Sequence, residues 1–278
     1  MDTWPRSSNG SNELRYAIYY VPDPATELAM LGARWLGRSI ETGATFGPPA
    51  TRGLDVSDHA RLVAAARRYG FHATLKAPFH LAEGRTRDEL LSAFRSFARA
   101  ACRVRIPVIS VGRLRRFIAL VPALHDEDLT RLATDAEHHF ERFRAPLSPQ
   151  DAARRRGSGL TPRQLRNLER YGYPFILNEF RFHLTLTSPV DHDNAATVER
   201  AIEEFFKPVL GRDLVIDRVA LVEERVPGGD FTVAAVAALG DPLAYTRRAM
   251  HVEAHYGEIG FVRPTVGRHN RGPADPNR

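Results

Sequence analysis

Phe71-His-Ala-Thr-Leu-Lys-Ala-Pro78 is answered later in the chain by Phe182-His-Leu-Thr-Leu-Thr-Ser-Pro189. Phe before the histidine, Thr two residues after it, Leu after the Thr and Pro six beyond the His coincide in both copies. A lone His-x-Thr carries little weight in a chain with 11 histidines. The extended match points to duplication. The segments beyond each copy repeat too. After His72 comes a helical run, Thr86 to Ala100, with Leu90, Phe94 and Phe97 at helical spacing, then strands over Val104 to Val111 and Phe117 to Val121. After His183 the order returns: a helix over Ala195 to Phe206, a strand over Leu214 to Val222, and Phe231 to Ala235 as its hairpin partner. The pattern predicts an α+β fold of two β-α-β-β lobes. Each is an antiparallel sheet with helices outside, and a pseudo-twofold axis runs through a central groove.

Strand geometry carries the chemistry. Side chains alternate faces, so His72 and Thr74 share one face while Phe71, Ala73 and Leu75 take the other; His183 and Thr185 repeat this against Phe182, Leu184 and Leu186. If the polar faces meet, one groove holds two imidazoles and two hydroxyls. A neutral imidazole takes a proton from water while a protonated one delivers a proton to a leaving oxygen. Threonine hydroxyls donate to the phosphate oxygens where charge collects. Base, acid and anion stabiliser are what phosphodiester cleavage needs, and no metal or cofactor is called for. A single strand histidine is more often a half-buried structural residue; the matched pair reverses that balance.

Two His-x-Thr-Leu strands resemble the 2H phosphoesterase superfamily, which includes cyclic phosphodiesterases and bacterial RNA-ligase-like proteins. The closer resemblance is to a bacterial branch associated with phosphonate metabolism and the carbon–phosphorus lyase pathway. It rests on Arg15-Tyr-Ala-Ile-Tyr19, Tyr69-Gly-Phe-His-Ala-Thr-Leu-Lys-Ala-Pro-Phe79, Phe143-Arg-Ala-Pro146, Tyr171-Gly-Tyr-Pro174 and Phe180-Arg-Phe-His-Leu-Thr-Leu-Thr187. The resemblance places the catalytic roles on His72 and His183 and phosphate binding on Thr74 and Thr185. It implies a smaller, glycine-containing turn where this chain has Arg113-Leu-Arg-Arg-Phe117. It also implies a substrate, 5-phosphoribose 1,2-cyclic phosphate, opened to ribose 1,5-bisphosphate.

Further substrate contacts are expected from cations. Lys76, one of two lysines with Lys207, lies two residues beyond Thr74, which puts it on the groove face; Thr187 is its counterpart. An insertion over 146–174 contains Arg154-Arg-Arg156 and a helix that Thr161 caps over Pro162. That helix reads as a wall of the groove with Arg163 or Arg166 as phosphate clamps, weighed against a solvated charged face. Tyr16 is added as a groove candidate from the first strand, where it shares a face with Tyr20 and Tyr19 takes the other; periodicity does not say which face meets the groove.

The net charge of +6 suits an anionic substrate. Cys102 is the single cysteine, which excludes an internal disulfide, and no apolar run is long enough to span a membrane. The first residues lack the pattern of a secretory signal, so a cytoplasmic protein is expected. Residues 1–13 and 263–278 are expected to be disordered, 14–240 to form the bilobal domain, and 241–262 a helical segment. There His251 and His255 stand one helical turn apart, but Glu253 is misplaced for a zinc motif and no third ligand is evident, so no metal is assigned. Three functions compete: a metal-independent cyclic phosphodiesterase acting on a small phosphosugar, an RNA-end 2′,3′-cyclic phosphodiesterase or 2′-5′ ligase, and a non-catalytic binder of cyclic nucleotide or phosphosugar.

Overall fold

The computed structural model describes residues 14–51, 53–156 and 159–240, all within one compact unit, Met1–Asp241. The expectations for 1–13, for 241–262 with His251 and His255, and for 263–278 lie outside the described residues. No described helix is long and apolar enough to cross a membrane.

In chain order the elements are β1 (Arg15–Tyr20), α1 (Glu27–Leu36), α2 (Val56–Arg67), β2 (Ala73–His80), α3 (Arg87–Ala100), β3 (Val104–Ile106), β4 (Ile109–Leu114), β5 (Phe117–Pro122), α4 (Glu127–Glu141), α5 (Pro149–Arg156), α6 (Pro162–Tyr171), β6 (Leu184–Thr185), α7 (His192–Phe206), β7 (Leu214–Ile216), β8 (Arg218–Glu224) and β9 (Phe231–Ala238). The helix starts are readable locally. Thr86 and Glu89 form a reciprocal capping box on α3, and Thr161 and Gln164 another on α6, with Pro162 in the first turn. Leu90, Phe94 and Phe97 of α3 are all buried, each contributing about 1.5–3 kcal/mol by leaving water. Pro107 divides the strand expected over Val104 to Val111 into β3 and β4, and Asp217 marks the same break between β7 and β8.

The fold class is the expected α+β with antiparallel sheets, but the strands are shared out differently from the repeat. One sheet runs β2-β1-β8-β9, a second β4-β5-β6, and β3 pairs with β7. Each histidine strand has therefore joined a sheet with the hairpin that follows the other histidine. The repeat unit in sequence is not the sheet in space. A β-α-β-β segment cannot close its sheet alone when its hairpin belongs to the opposite half.

The second histidine strand, β6, is only two residues long, yet it is well anchored. The Leu186 amide donates to Ile118 O at 3.0 Å, the Thr187 hydroxyl accepts from the Ile118 amide at 3.0 Å, and the Trp35 indole donates to Leu186 O at 2.8 Å. The β4–β5 hairpin turns on Arg115 and Arg116, and Arg115 takes φ 57°. An arginine thus holds the left-handed conformation where the resemblance implied a glycine.

Candidate active site

Both histidines stand one residue before their strands, and both are aimed by the same local bond. The Nδ1 of His72 donates to Gly70 O at 2.9 Å, and that of His183 donates to Arg181 O at 2.6 Å. A carbonyl only accepts, so Nδ1 carries the proton in the neutral ring and Nε2 is left as the acceptor. The Thr74 hydroxyl lies 3.2 Å from the His72 Nε2 and donates to it. Tyr19 stacks on the His72 ring with centroids 3.8 Å apart. Gly70 makes this possible: it adopts φ 71°, and a Cβ there would lie 2.4 Å from Ile40 Cβ.

His72, Thr74, His183 and Thr185 line one cavity of about 500 Å³. An adjoining chamber of about 470 Å³ shares Thr74, Leu114, Phe117, Tyr173 and His183 with it and adds Phe175, Ile176 and Phe180. Burial pushes the His72 imidazole down to about 4, and the neighbouring His183 adds to that resistance while the Gly70 carbonyl opposes it. Burial also lowers His183, against the Arg181 carbonyl. A charge on His183 opposes a charge on His72. Burial raises the phenols of Tyr19 and Tyr173, keeping them protonated as donors.

Four expected contacts are not in the groove. Lys76 is 2% exposed and bonded to Glu137 and, at 2.9 Å, to Glu141, both on α4. The reason is a β-bulge. Tyr19 pairs with Thr74 and Ile18 with Lys76, so one step on β1 matches two on β2, and Leu75 is the extra residue. The alternation breaks there, and Lys76 joins Ile18 on the helix side. Tyr16 is likewise on the helix side, paired with Phe79 and packed in the main core; Tyr19, on the opposite face, meets His72. Arg163 is exposed and bonded to Glu179 at 2.5 Å. Arg166 is exposed and lines neither chamber.

The insertion does supply a wall, through other residues. Arg155 donates to Pro78 O at 2.8 Å and to Gly172 O at 2.5 Å, and it lines the histidine chamber with Tyr173. Arg15, Tyr19, Arg68 and Tyr69 line the same chamber. Most of these lie inside the segments Arg15 to Tyr19, Tyr69 to Phe79 and Tyr171 to Pro174 that carry the family resemblance, which was the signal available. Their facing was not, because it depends on the bulge and on tertiary packing. Among the described residues no group of three or more His, Cys, Asp or Glu side chains is placed to hold a metal.

The family profile described as protein of unknown function (DUF1045) matches residues 74–232, more than half of the chain. The chain belongs to the DUF1045 family. Two curated relatives are named ribose 1,5-bisphosphate phosphokinase PhnN. The one from Janthinobacterium sp. (strain Marseille) is 36% identical over 221 residues, covering 78% of this chain and 49% of that protein. The one from Laribacter hongkongensis (strain HLHK9) is 34% identical over 209 residues, covering 73% of this chain and 48% of that protein. The chain thus spans about half the length of the curated relatives it matches. Solved structures that align with this DUF1045 member include E. coli LigT in apo form, at 17% identity, 83% of this chain, 100% of that chain and TM-score 0.40. TT0787 of Thermus thermophilus aligns at 18% identity, 82% of this chain, 99% of that chain and TM-score 0.39. Those likenesses are too distant to bear on activity.

Proposed function

We propose that this protein is a metal-independent phosphodiesterase that opens a cyclic phosphate by acid–base catalysis between His72 and His183. Its best substrate is 5-phosphoribose 1,2-cyclic phosphate. The observation that carries the proposal is the pair of imidazoles held with Nε2 free of the backbone, in one cavity with Thr74 and Thr185.

In the reaction the neutral imidazole takes a proton from water as the water oxygen bonds to phosphorus. The bond from phosphorus to the sugar O2 breaks, and the protonated imidazole gives its proton to that oxygen. Proton donation to the departing oxygen supplies what a Lewis acid would otherwise supply. Thr185, and Thr74 once its hydroxyl turns from the His72 Nε2 as the water takes that place, donate to the non-bridging oxygens. The product is ribose 1,5-bisphosphate.

The curated relatives are named for a kinase of ribose 1,5-bisphosphate. A ring-opening step that makes this compound fits a shared metabolic setting. The kinase activity itself is not proposed for this chain, since neither Lys76 nor Lys207 follows a glycine as a Gly-Lys-Ser/Thr phosphate loop requires.

A second reading has its own observation. Phe175, Ile176 and Phe180 give the adjoining chamber an apolar wall that suits a nucleobase, which favours a 2′,3′-cyclic nucleotide. Phosphorus NMR in EDTA decides between them. Loss of the cyclic-phosphate signal of 5-phosphoribose 1,2-cyclic phosphate, abolished in His72→Ala and His183→Ala, is the expected result. Turnover of a 2′,3′-cyclic nucleotide alone would move the protein to RNA ends, and a strict need for added divalent metal would overturn the mechanism.

A further inference from the structure

The histidine chamber carries a set of charges that the acid–base pair does not use. Arg15 opens β1 directly opposite Glu224 at the end of β8, and Arg68 follows α2; both guanidiniums bond to the Glu224 carboxylate. Glu224 is fully buried, whereas the side chains of Arg15 and Arg68 are 16% and 28% exposed and line the cavity. One carboxylate against two guanidiniums leaves a net positive charge on the cavity wall. Each guanidinium has five N–H donors. The bonds to Glu224 and, for Arg68, to Gly229 O at 2.8 Å use only part of them. A buried ion triad is weak support for stability, because desolvation offsets most of its attraction. Two arginines locked in place with donors to spare are better explained by an anion.

Their position says which anion. The Tyr69 ring lies 6.3 Å from the His72 ring and 5.2 Å from the Arg68 guanidinium carbon. Tyr19, stacked on His72, is 6.2 Å from Phe231, and Arg15 lies 5.6 Å over that same ring. Tyr69 neighbours both His72 and Arg68, and Tyr19 and Phe231 link His72 to Arg15, while the neutral Thr74 and Thr185 share the cavity with both imidazoles. A cyclic diester carries one negative charge, whereas a phosphate monoester carries about −1.5 to −2 at neutral pH. The stronger anion matches the arginines and the weaker one the hydroxyls.

We propose that Arg15 and Arg68, clamped by Glu224, form a second anion subsite for a phosphate monoester on the substrate, selecting sugars that bear two phosphoryl groups. This rests on the phosphodiesterase reading but is testable apart from it. Calorimetric titration with ribose 5-phosphate, which has no ring to open, reads the subsite directly. Arg68→Gln is expected to weaken binding about tenfold or more, the loss of a charge-assisted bond. Arg68→Lys should recover part of it, and thermal melts control for folding. Absence of wild-type binding, or equal Kd in Arg68→Gln, overturns the subsite. Kinetics adds a second readout: the kcat/KM ratio of 5-phosphoribose 1,2-cyclic phosphate to ribose 1,2-cyclic phosphate should fall by a similar factor in Arg68→Gln. An unchanged ratio with His72-dependent turnover removes the subsite and leaves the chemistry. Absence of turnover of either compound removes the chemistry, while the titration still decides the subsite.

Discussion

An imidazole whose Nδ1 proton is engaged by a backbone carbonyl cannot flip without breaking that bond, and both histidines of this chain are so held. The consequence appears in the pH dependence. Because burial brings His72 to about 4 and lowers His183 from 6.5, the free protein keeps a proton on the pair only on the acid side. The kcat/KM profile should therefore peak below pH 6.5 and fall as pH rises through neutrality, because the proton donor is lost. A bound phosphate stabilises the imidazolium, so the kcat profile should lie to the alkaline side of it. A kcat/KM still climbing at about pH 8 would remove histidine as the acid. Gly70 is the other decisive residue. Its φ of 71° and the 2.4 Å approach of Ile40 leave no room for a side chain. Gly70→Ala should cost about 1–3 kcal/mol in denaturant unfolding and lower turnover by displacing the carbonyl that orients His72.

Elements show where sequence reading succeeds and where it stops. Helix α3 was legible because Thr86, Glu89 and the Leu90, Phe94, Phe97 stripe are local signals within one segment. The duplicated His-x-Thr strands were legible because a period of two puts His and Thr on one face. That same period misplaced Lys76, since the extra residue at Leu75 is visible only in the pairing of β1 with β2. Arg163 and Arg166 failed for a different reason: a capped amphipathic helix says which residues face out, not whether outward means solvent or groove. The correction has a measurable counterpart. Burial raises the Glu137 carboxyl even beside Lys76, so removing the lysine strands Glu137, while Glu141 keeps Arg144 at 2.6 Å. Lys76→Met should destabilise the fold by about 3–5 kcal/mol, seen as a lower Tm, with KM unchanged. A raised KM at constant Tm would return Lys76 to substrate binding.

At the scale of the whole molecule, the exchange of strands makes each sheet depend on both halves of the chain. Arg15 pairs with Glu224 across β1 and β8, and β5 carries β6. A chain ending at Gly211 retains both histidines but lacks β7, β8 and β9. It should melt at a markedly lower temperature than the full chain by circular dichroism, because β1 and β2 lose the β8–β9 half of their sheet. A Tm equal to that of the full chain would mean that the residues up to Gly211 fold without β7, β8 and β9. The β1–β8 pairing also fixes an order in time. On the ribosome, β8, the strand that will flank β1, is made after all seven of the described helices. Nascent β1 must wait for it with an open edge. Such distant pairing predicts slow folding and a period of chaperone dependence during translation.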